Sequence, residues 1–391
     1  MKSLLLNNDI QNFIQQNLNE DPTRLILKGS TFQGITIQEI VEQIISKKKC
    51  QKKLPTWFST KEIYYPNKLN IEQTSSEITA NYKANLIAGK ELIDITGGFG
   101  VDCFAFADKF KEVTHCEINE ELSKIVKHNY GKLKIKNIET KAINGIKYLE
   151  NSKKRYSWIY ADPSRRDESK GKVFLLEDSL PNIPKNLDFL FKYTDNILLK
   201  LSPILDITAS INELKFIKEI HVVAIKNEVK ELLFILNKGH QNTIQIKTIN
   251  IKNNGDEKFE SKINSTNIST YSLPQKYLYE PNNAILKTGL FNEISHQLNI
   301  FKLHNNSHLY TFNDLIIFPG RRFEIKKIIN YDKKKIKKLL TSNKANITTR
   351  NFPDTVAQIR KKTGIKDGGI DYLFFTTNSN NKLIVLLCVK V

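Results

Sequence analysis

Residues 92–102 read Leu-Ile-Asp-Ile-Thr-Gly-Gly-Phe-Gly-Val-Asp, an apolar strand that enters a glycine-rich turn and leaves it as a helix. Few arrangements satisfy such a run. The apolar residues need burial in a sheet, the glycines allow a tight turn, and the N–H groups at the start of the following helix, 101–110, form a cradle for an anionic or nucleotide-like ligand. The spacing is not that of a dinucleotide fingerprint. Gly98 and Gly100 supply its first half, but Cys103 stands where the third glycine of G-x-G-x-x-G would fall. Asp94, on the strand before the turn, suits a ligand with a positive end, such as an amino-acid ammonium. S-adenosylmethionine combines an ammonium, a carboxylate and a nucleoside, and it is the ligand this stretch favours, with Thr96, Gly97, Gly98 and Gly100 lining the turn.

Downstream the pattern alternates. Strand-like segments at 112–117, 138–143, 158–162, 196–201, 219–225 and 244–251 are separated for the most part by helix-like ones at 120–130, 145–151, 184–193, 207–216 and 229–236. Alternation with apolar strands predicts an α/β fold with a largely parallel sheet covered on both faces, seven strands in all once the Asp94 strand is counted. Ligands of such sheets bind beyond the carboxyl ends of the strands.

Upstream, residues 1–70 form a helical region with helices at 7–18 and 36–49. In the second, Ile40, Val41, Ile44 and Ile45 recur at helical spacing, and Lys47, Lys48 and Lys49 fall where a helix C-terminus favours positive charge, with phosphate contact as the other reading. Thr74 and Glu77 have capping-box spacing at the start of the helix that leads into the Asp94 strand; the other reading is that the polar groups at this helix start approach the amino-acid end of the ligand. Residues 252–272 are polar and aperiodic, as in a linker or exposed hairpin. From Tyr277 a compact α+β region follows, ending in strand 323–329, helix 333–340, strand 345–349, helix 354–362 and strands 372–377 and 383–389.

At 391 residues the chain has room for two or three domains, and its formal net charge of +19 points to a polyanionic partner such as nucleic acid, or to a codon usage that inflates Lys. The positive charge crowds after Phe318-Pro319-Gly320, where Arg321, Arg322, Lys326, Lys327, Lys333, Lys334, Lys337, Lys338, Lys344, Arg350, Arg360, Lys361 and Lys362 lie close together. Such a face binds a phosphate backbone without sequence preference; the alternative is a solvated helix face. Cys50, Cys103, Cys116 and Cys388 show no C-x-x-C spacing, which argues against a zinc site or disulfide framework, and no metal is expected. The N-terminus lacks a signal-peptide pattern, and no apolar run reaches about 18 residues, which predicts a cytoplasmic protein without a membrane span.

Four strand ends carry polar residues suited to ligand chemistry. Glu117 ends the second strand about 20 residues after the glycines, where a carboxylate accepts both ribose hydroxyls of a nucleoside, or else starts the next helix as a solvated acid. Asn144 ends the third strand within reach of an adenine edge. The fourth runs into Ala161-Asp162-Pro163-Ser164-Arg165-Arg166. The proline stiffens this loop, Asp162 would orient an attacking nucleophile or accept its proton, and two adjacent arginines suit phosphate or carboxylate. A turn with a structural Asp–Arg pair is the alternative. Lys200, with Ser202 and Pro203, closes the next strand at the same edge.

Taken together, Glu72 to Glu77, Asp94 to Asp102, His115 to Asn119, Asp162 to Arg166, Tyr279 to Asn282 and Phe318 to Arg322 resemble the class I S-adenosylmethionine-dependent methyltransferases that carry a C-terminal THUMP-like domain. The resemblance implies a Rossmann-like methyltransferase core at 71–252, a ferredoxin-like segment at 276–318 and a THUMP-like domain at 319–391. It implies S-adenosylmethionine as cofactor, held by Asp94, Gly97 and Glu117, with acceptor binding at Asp162 and Pro163. THUMP domains bind RNA, so the implied substrate is structured RNA (tRNA or rRNA). The rival readings are an RNA-binding protein with a catalytically silent core and a methyltransferase for a protein or small molecule. Two departures stand out. Asn144 replaces an acid common in class I enzymes, and Asp-Pro-Ser-Arg replaces the Asn/Asp-Pro-Pro-Tyr/Phe of many amino methyltransferases. The loop also lacks the cysteine that a cytosine C5 mechanism requires.

Overall fold

A computed structural model of the chain describes residues 1–30, 32–165, 175–332, 335–336, 340 and 342–391. The chain divides into two compact units, Met1–Lys218 with Leu233–Gln241 and Glu219–Leu232 with Asn242–Val391.

The first unit opens with helices Asn8–Gln16, Pro22–Lys28 and Ile37–Lys53, which share a core of Ile10, Ile14, Leu25, Ile40, Val41 and Ile44. Thr36 and Glu39 form a reciprocal capping box at the third helix. That helix runs on to Lys53, so Lys47 to Lys49 lie in its interior rather than at its end, and Lys47 is buried. The capping box expected at Thr74 and Glu77 does not form. Ser76 caps helix Glu77–Ala84, and Glu77 instead accepts hydrogen bonds from the Thr56 N–H at 2.6 Å and the Thr56 hydroxyl at 2.9 Å.

Strands β1 (Gly89–Asp94), β2 (Phe110–Cys116), β3 (Ile138–Lys141), β4 (Trp158–Ala161) and β5 (Asn196–Leu201) are all parallel, in the order β5-β4-β1-β2-β3. Helices Val101–Phe106, Glu120–Lys132, Gly145–Glu150 and Ile183–Leu190 connect them. Because β1 sits between β4 and β2, the chain reverses direction across the sheet at β1, the position at which open α/β sheets place ligands.

The helix expected over 229–236 is a strand. β6 (Ile217–Ile225) and β7 (Glu228–Asn237) are joined by Lys226 and Asn227, both with positive φ (49° and 68°), the geometry of a two-residue type I′ hairpin. Leu232 to Leu236 are all buried, so burial had no period that could separate strand from helix. In the second unit β8 (Gln245–Ile251) runs parallel to β6 and pairs antiparallel with β9 (Glu257–Lys262), which lies in the stretch expected to be a linker or hairpin. With β7 and β9 added, nine strands take the place of the expected seven.

The second unit also holds a seven-stranded sheet of β10 (Tyr277–Pro281), β11 (Phe301–Lys302), β12 (Tyr310–Phe312), β13 (Gly320–Asn330), β14 (Asn346–Arg350), β15 (Asp371–Thr377) and β16 (Leu383–Lys390), ordered β11-β12-β10-β13-β16-β15-β14. Alternate residues bury on opposite faces: Leu278 and Phe374 in one cluster, Tyr279 in a second, Leu373 and Phe375 in a third. The sheet is strongly curled. β14 lies four strand spacings from β10, about 19 Å in a flat sheet, yet Arg350 Nη2 donates to Glu280 Oε1 at 2.9 Å. No helix among the described residues is long and apolar enough to cross a membrane, and no group of three or more His, Cys, Asp or Glu among them is placed to hold a metal ion.

Candidate functional site

Register assembles the site. Asp94 lies opposite His115 on β2 and Tyr160 on β4, so Glu117 and Asp162, two residues beyond those partners, leave the sheet at one carboxyl edge. Asn144, after β3, leaves at that edge too.

Asp94 is 1% exposed. Its Oδ1 accepts from the Thr96 N–H at 2.8 Å and the Thr96 hydroxyl at 3.0 Å, and its Oδ2 accepts from the Cys103 thiol at 3.3 Å. Burial pushes its pKa up to about 7 against the hydrogen bonds from Thr96 and Cys103, and the nearby Asp102 adds to the rise. Both oxygens thus accept hydrogen bonds from the chain itself, and Asp94 shapes the turn. Thr96 Oγ1 in turn accepts from the Asp162 N–H at 2.7 Å, which fastens the root of the loop after β4 to the turn.

Two turn glycines are required by what stands behind them. A Cβ on Gly97 would lie 2.4 Å from His115 Nε2, and one on Gly100, where φ is +78°, would lie 2.2 Å from Tyr130 Oη. Over Gly98 a Cβ would meet nothing nearer than Thr96 O at 3.8 Å, which leaves room above its backbone for a ligand. Burial pulls the His115 pKa down to about 4, and the neutral ring donates from Nε2 to Gly98 O at 3.2 Å.

Glu117 is half-buried and holds the turn from the other side. Its Oε2 accepts from the Gly98 N–H at 2.8 Å and its Oε1 from the Asn119 N–H at 2.7 Å. A carboxylate has about four lone-pair sites, so it retains capacity for hydroxyl donors. Next to it Ile118 is 73% exposed, an apolar side chain left at the rim beside a nucleoside-type acid. Asn144 Oδ1 caps helix Gly145–Glu150, accepting from the Ile146 and Lys147 N–H groups at 3.0 and 3.2 Å. Its oxygen is thereby taken, and the amide it offers outward is a donor. Ribose acceptor capacity at Glu117, an apolar face at Ile118, an amide at Asn144 and open backbone at Gly98 fit a nucleoside.

In the loop after β4, Asp162 and Pro163 are half-buried and Ser164 is exposed. Asp162 Oδ2 is ion-paired with Lys200 Nζ, so two of the predicted site residues meet directly. Ser164 and Arg165 pair antiparallel with Leu180 and Ser179, while Arg166 lies outside the described residues.

Arg321 and Arg322 belong to the second unit. Arg321 donates from Nε to the buried Glu280 Oε2 at 2.6 Å and stacks over Phe323, 5.4 Å from its centroid; Arg322 donates from Nη1 to Ile316 O at 3.3 Å. Both have roles within their own sheet. Lys333, Lys334, Lys337 and Lys338 lie outside the described residues.

Sequence reasoning missed the buried group Ser75, Lys83, Asp102 and Tyr160 beneath the turn, as well as Tyr130 and Ile118. A lysine inside an amphipathic helix reads as solvated, so only Ile118, apolar in a polar loop, carried a local signal.

Residues 277–319 match a ferredoxin-like domain family and residues 320–390 a THUMP domain-like family. A candidate methyltransferase from Porphyromonas gingivalis is similar at 30% identity, covering 98% of each chain with a TM-score of 0.88. An rRNA methylase from Streptococcus thermophilus aligns at 14% identity over 43% of this chain and 99% of its own, with a TM-score of 0.32. TrmK from M. capricolum, in complex with S-adenosyl-homocysteine, aligns at 16% identity over 41% of this chain and 68% of its own, with a TM-score of 0.30. No protein of curated function matches.

Proposed function

The chain belongs to the family of methyltransferase-fold proteins with a C-terminal THUMP-like domain that includes the Porphyromonas gingivalis protein, and from that premise we propose that it is an S-adenosylmethionine-dependent methyltransferase acting on a nucleotide of structured RNA, such as tRNA or rRNA. The observation that carries the reading is the Glu117–Gly98 contact. It sets a half-exposed carboxylate at the end of β2 and an uncovered glycine backbone at the end of β1, side by side.

In this reading Glu117 accepts the ribose hydroxyls, Ile118 lies against the adenine face, and Asn144 donates to the adenine edge. Thr96, Gly97, Gly98 and Gly100 present the turn's backbone to the amino-acid end, with Asp94 holding Thr96 in place. When bound, the cofactor supplies an electrophilic methyl group, whose transfer needs in-line placement of the acceptor more than a strong catalyst. Asp162, immobilised by Lys200, would accept a hydrogen bond from the acceptor N–H or O–H and orient its lone pair, with Pro163 keeping the loop rigid. Ser164, Arg165 and Arg166 would hold the substrate around it. The THUMP-like domain, with Arg321 and Arg322 at its start, would supply phosphate contacts.

Tritiated methyl transfer to total RNA from cells lacking the protein tests this. Incorporation into RNA that is abolished in Asp162→Asn is expected. Cofactor binding without transfer to RNA, DNA or protein would sink the enzyme reading and favour an RNA-binding protein with a silent core. Turnover independent of RNA would favour a protein or small-molecule acceptor.

A further inference from the structure

A cluster that the proposed chemistry does not use lies beneath the glycine turn. Lys83 is 0% exposed, and its Nζ stands 3.2 Å from Asp102 Oδ1. Asp102 Oδ2 accepts from the Tyr160 hydroxyl at 2.7 Å and the Ser75 hydroxyl at 2.9 Å, and Lys83 Nζ also donates to Ser75 Oγ at 3.2 Å. The four side chains come from three separate segments: Ser75 and Lys83 from the turn and helix Glu77–Ala84 that lead into β1, Asp102 from the first turn of the helix after the glycines, and Tyr160 from β4, two residues before Asp162. Desolvating an ion pair costs several kcal/mol per charge, so two full charges are a poor choice if only stability is at stake.

What the cluster provides is position. Helix Val101–Phe106 is short, and its N-cap is Gly100, which has no side chain to cap it. Its first turn, and with it the glycine backbone, is therefore held by side chains: the Cys103 thiol donates to Asp94 and the Tyr130 hydroxyl to Gly100 O at 2.8 Å. Asp102 adds the charged tie, from within the helix, by reaching two other segments at once. We propose that Asp102, held by Lys83, Ser75 and Tyr160, is a positioning residue that sets the backbone of the cofactor turn and the root of the acceptor loop from a single buried carboxylate. This gives the helix before β1 a part in cofactor binding, and it rests on the reading of the turn as an S-adenosylmethionine site.

The groups acting on Asp102 come from every neighbouring element. Lys83 and, through space, Lys200 on β5 favour its charged form, as do the Tyr160 and Ser75 hydroxyls; burial opposes them, and Asp94 on β1 and Cys103 on its own helix stand close by. Removing Lys83 leaves the carboxylate without its nearest counter-charge, and protonation restores neutrality. Binding of S-adenosylhomocysteine to the full-length protein, measured by calorimetry as the ratio of variant to wild-type affinity at each pH, separates this from mere support of the fold. Lys83→Met should lower affinity about tenfold or more near pH 8 and recover towards wild type near pH 5.5. Lys83→Arg should retain most of the affinity, and Lys83→Met with Asp102→Asn should bind better than Lys83→Met alone. Tyr160→Phe, which removes one hydrogen bond and strands no charge, should cost about threefold, and decides the matter if Lys83→Met does not fold. Wild-type affinity in Tyr160→Phe together with a pH-independent ratio in Lys83→Met, or wild-type affinity in Tyr160→Phe alone if Lys83→Met is unfolded, would overturn the assignment. A wild-type protein that does not bind S-adenosylhomocysteine would overturn the cofactor reading, and this assignment with it.

Discussion

Four carboxylates stand at or under one edge of the parallel sheet, and they fall into two pairs. Asp94 and Asp102 are buried, with their oxygens committed to neighbouring groups of the same chain. Glu117 and Asp162 are half-buried at the rim, each anchored through contacts that leave lone pairs for a visitor. The difference separates frame from contact. A buried acid whose partners are internal shapes the site from within, and Asp94, on the strand before the glycines, stands with the frame in that sense.

Substitutions should divide along the same line. The largest effect is expected at Asp162, where Asn should lower methyl transfer about 100-fold or more while leaving S-adenosylhomocysteine affinity within about twofold. A parallel loss of affinity would move Asp162 to the cofactor side. Glu117→Ala should reduce cofactor affinity about tenfold or more, the loss of charge-assisted hydrogen bonds, with little change in Tm; isothermal titration and thermal unfolding read the two separately.

Asp94 should behave in the opposite way. Its folded pKa of about 7 lies above the value near 4 of an unfolded aspartate. The folded state therefore holds the extra proton between those values, and this group's contribution to stability falls as pH rises from about 4 through about 7, then stays constant. Asp94→Asn should flatten that component of the pH dependence in urea unfolding, and an unchanged slope would mean that Asp94 is not desolvated as described. The smallest effect is expected at Asn144, where Ala removes a helix cap worth about 1 kcal/mol and should lower cofactor affinity only slightly.

Much of the rim was legible in the sequence because strand ends are local features. Glu117, Asn144 and Asp162 each stand just past a strand, and parallel register does the rest. Of the frame, Asp94 is equally visible, but its partner pair is not. Lys83 and Asp102 are 19 positions apart, and a lysine in the last turn of helix Glu77–Ala84 looks like an ordinary C-terminal charge. Thr74 and Glu77 met a capping pattern that Ser76 fulfilled instead, since Glu77 was drawn to Thr56 in an earlier helix. β7 reads as a helix in the sequence because a run buried on every side has no period, and only Lys226-Asn227, a weak turn signal, marks the hairpin. Arg321 shows the converse: its charge is visible in the sequence, but its buried partner Glu280 on the neighbouring strand is not.

Modified nucleosides from total RNA, compared by mass spectrometry with and without the gene, test the central claim most directly. One methylated nucleoside should be missing without the gene, and should return when the RNA is incubated with the protein and S-adenosylmethionine but not with Asp162→Asn. An unchanged nucleoside profile, with no methyl incorporation into that RNA, would contradict it.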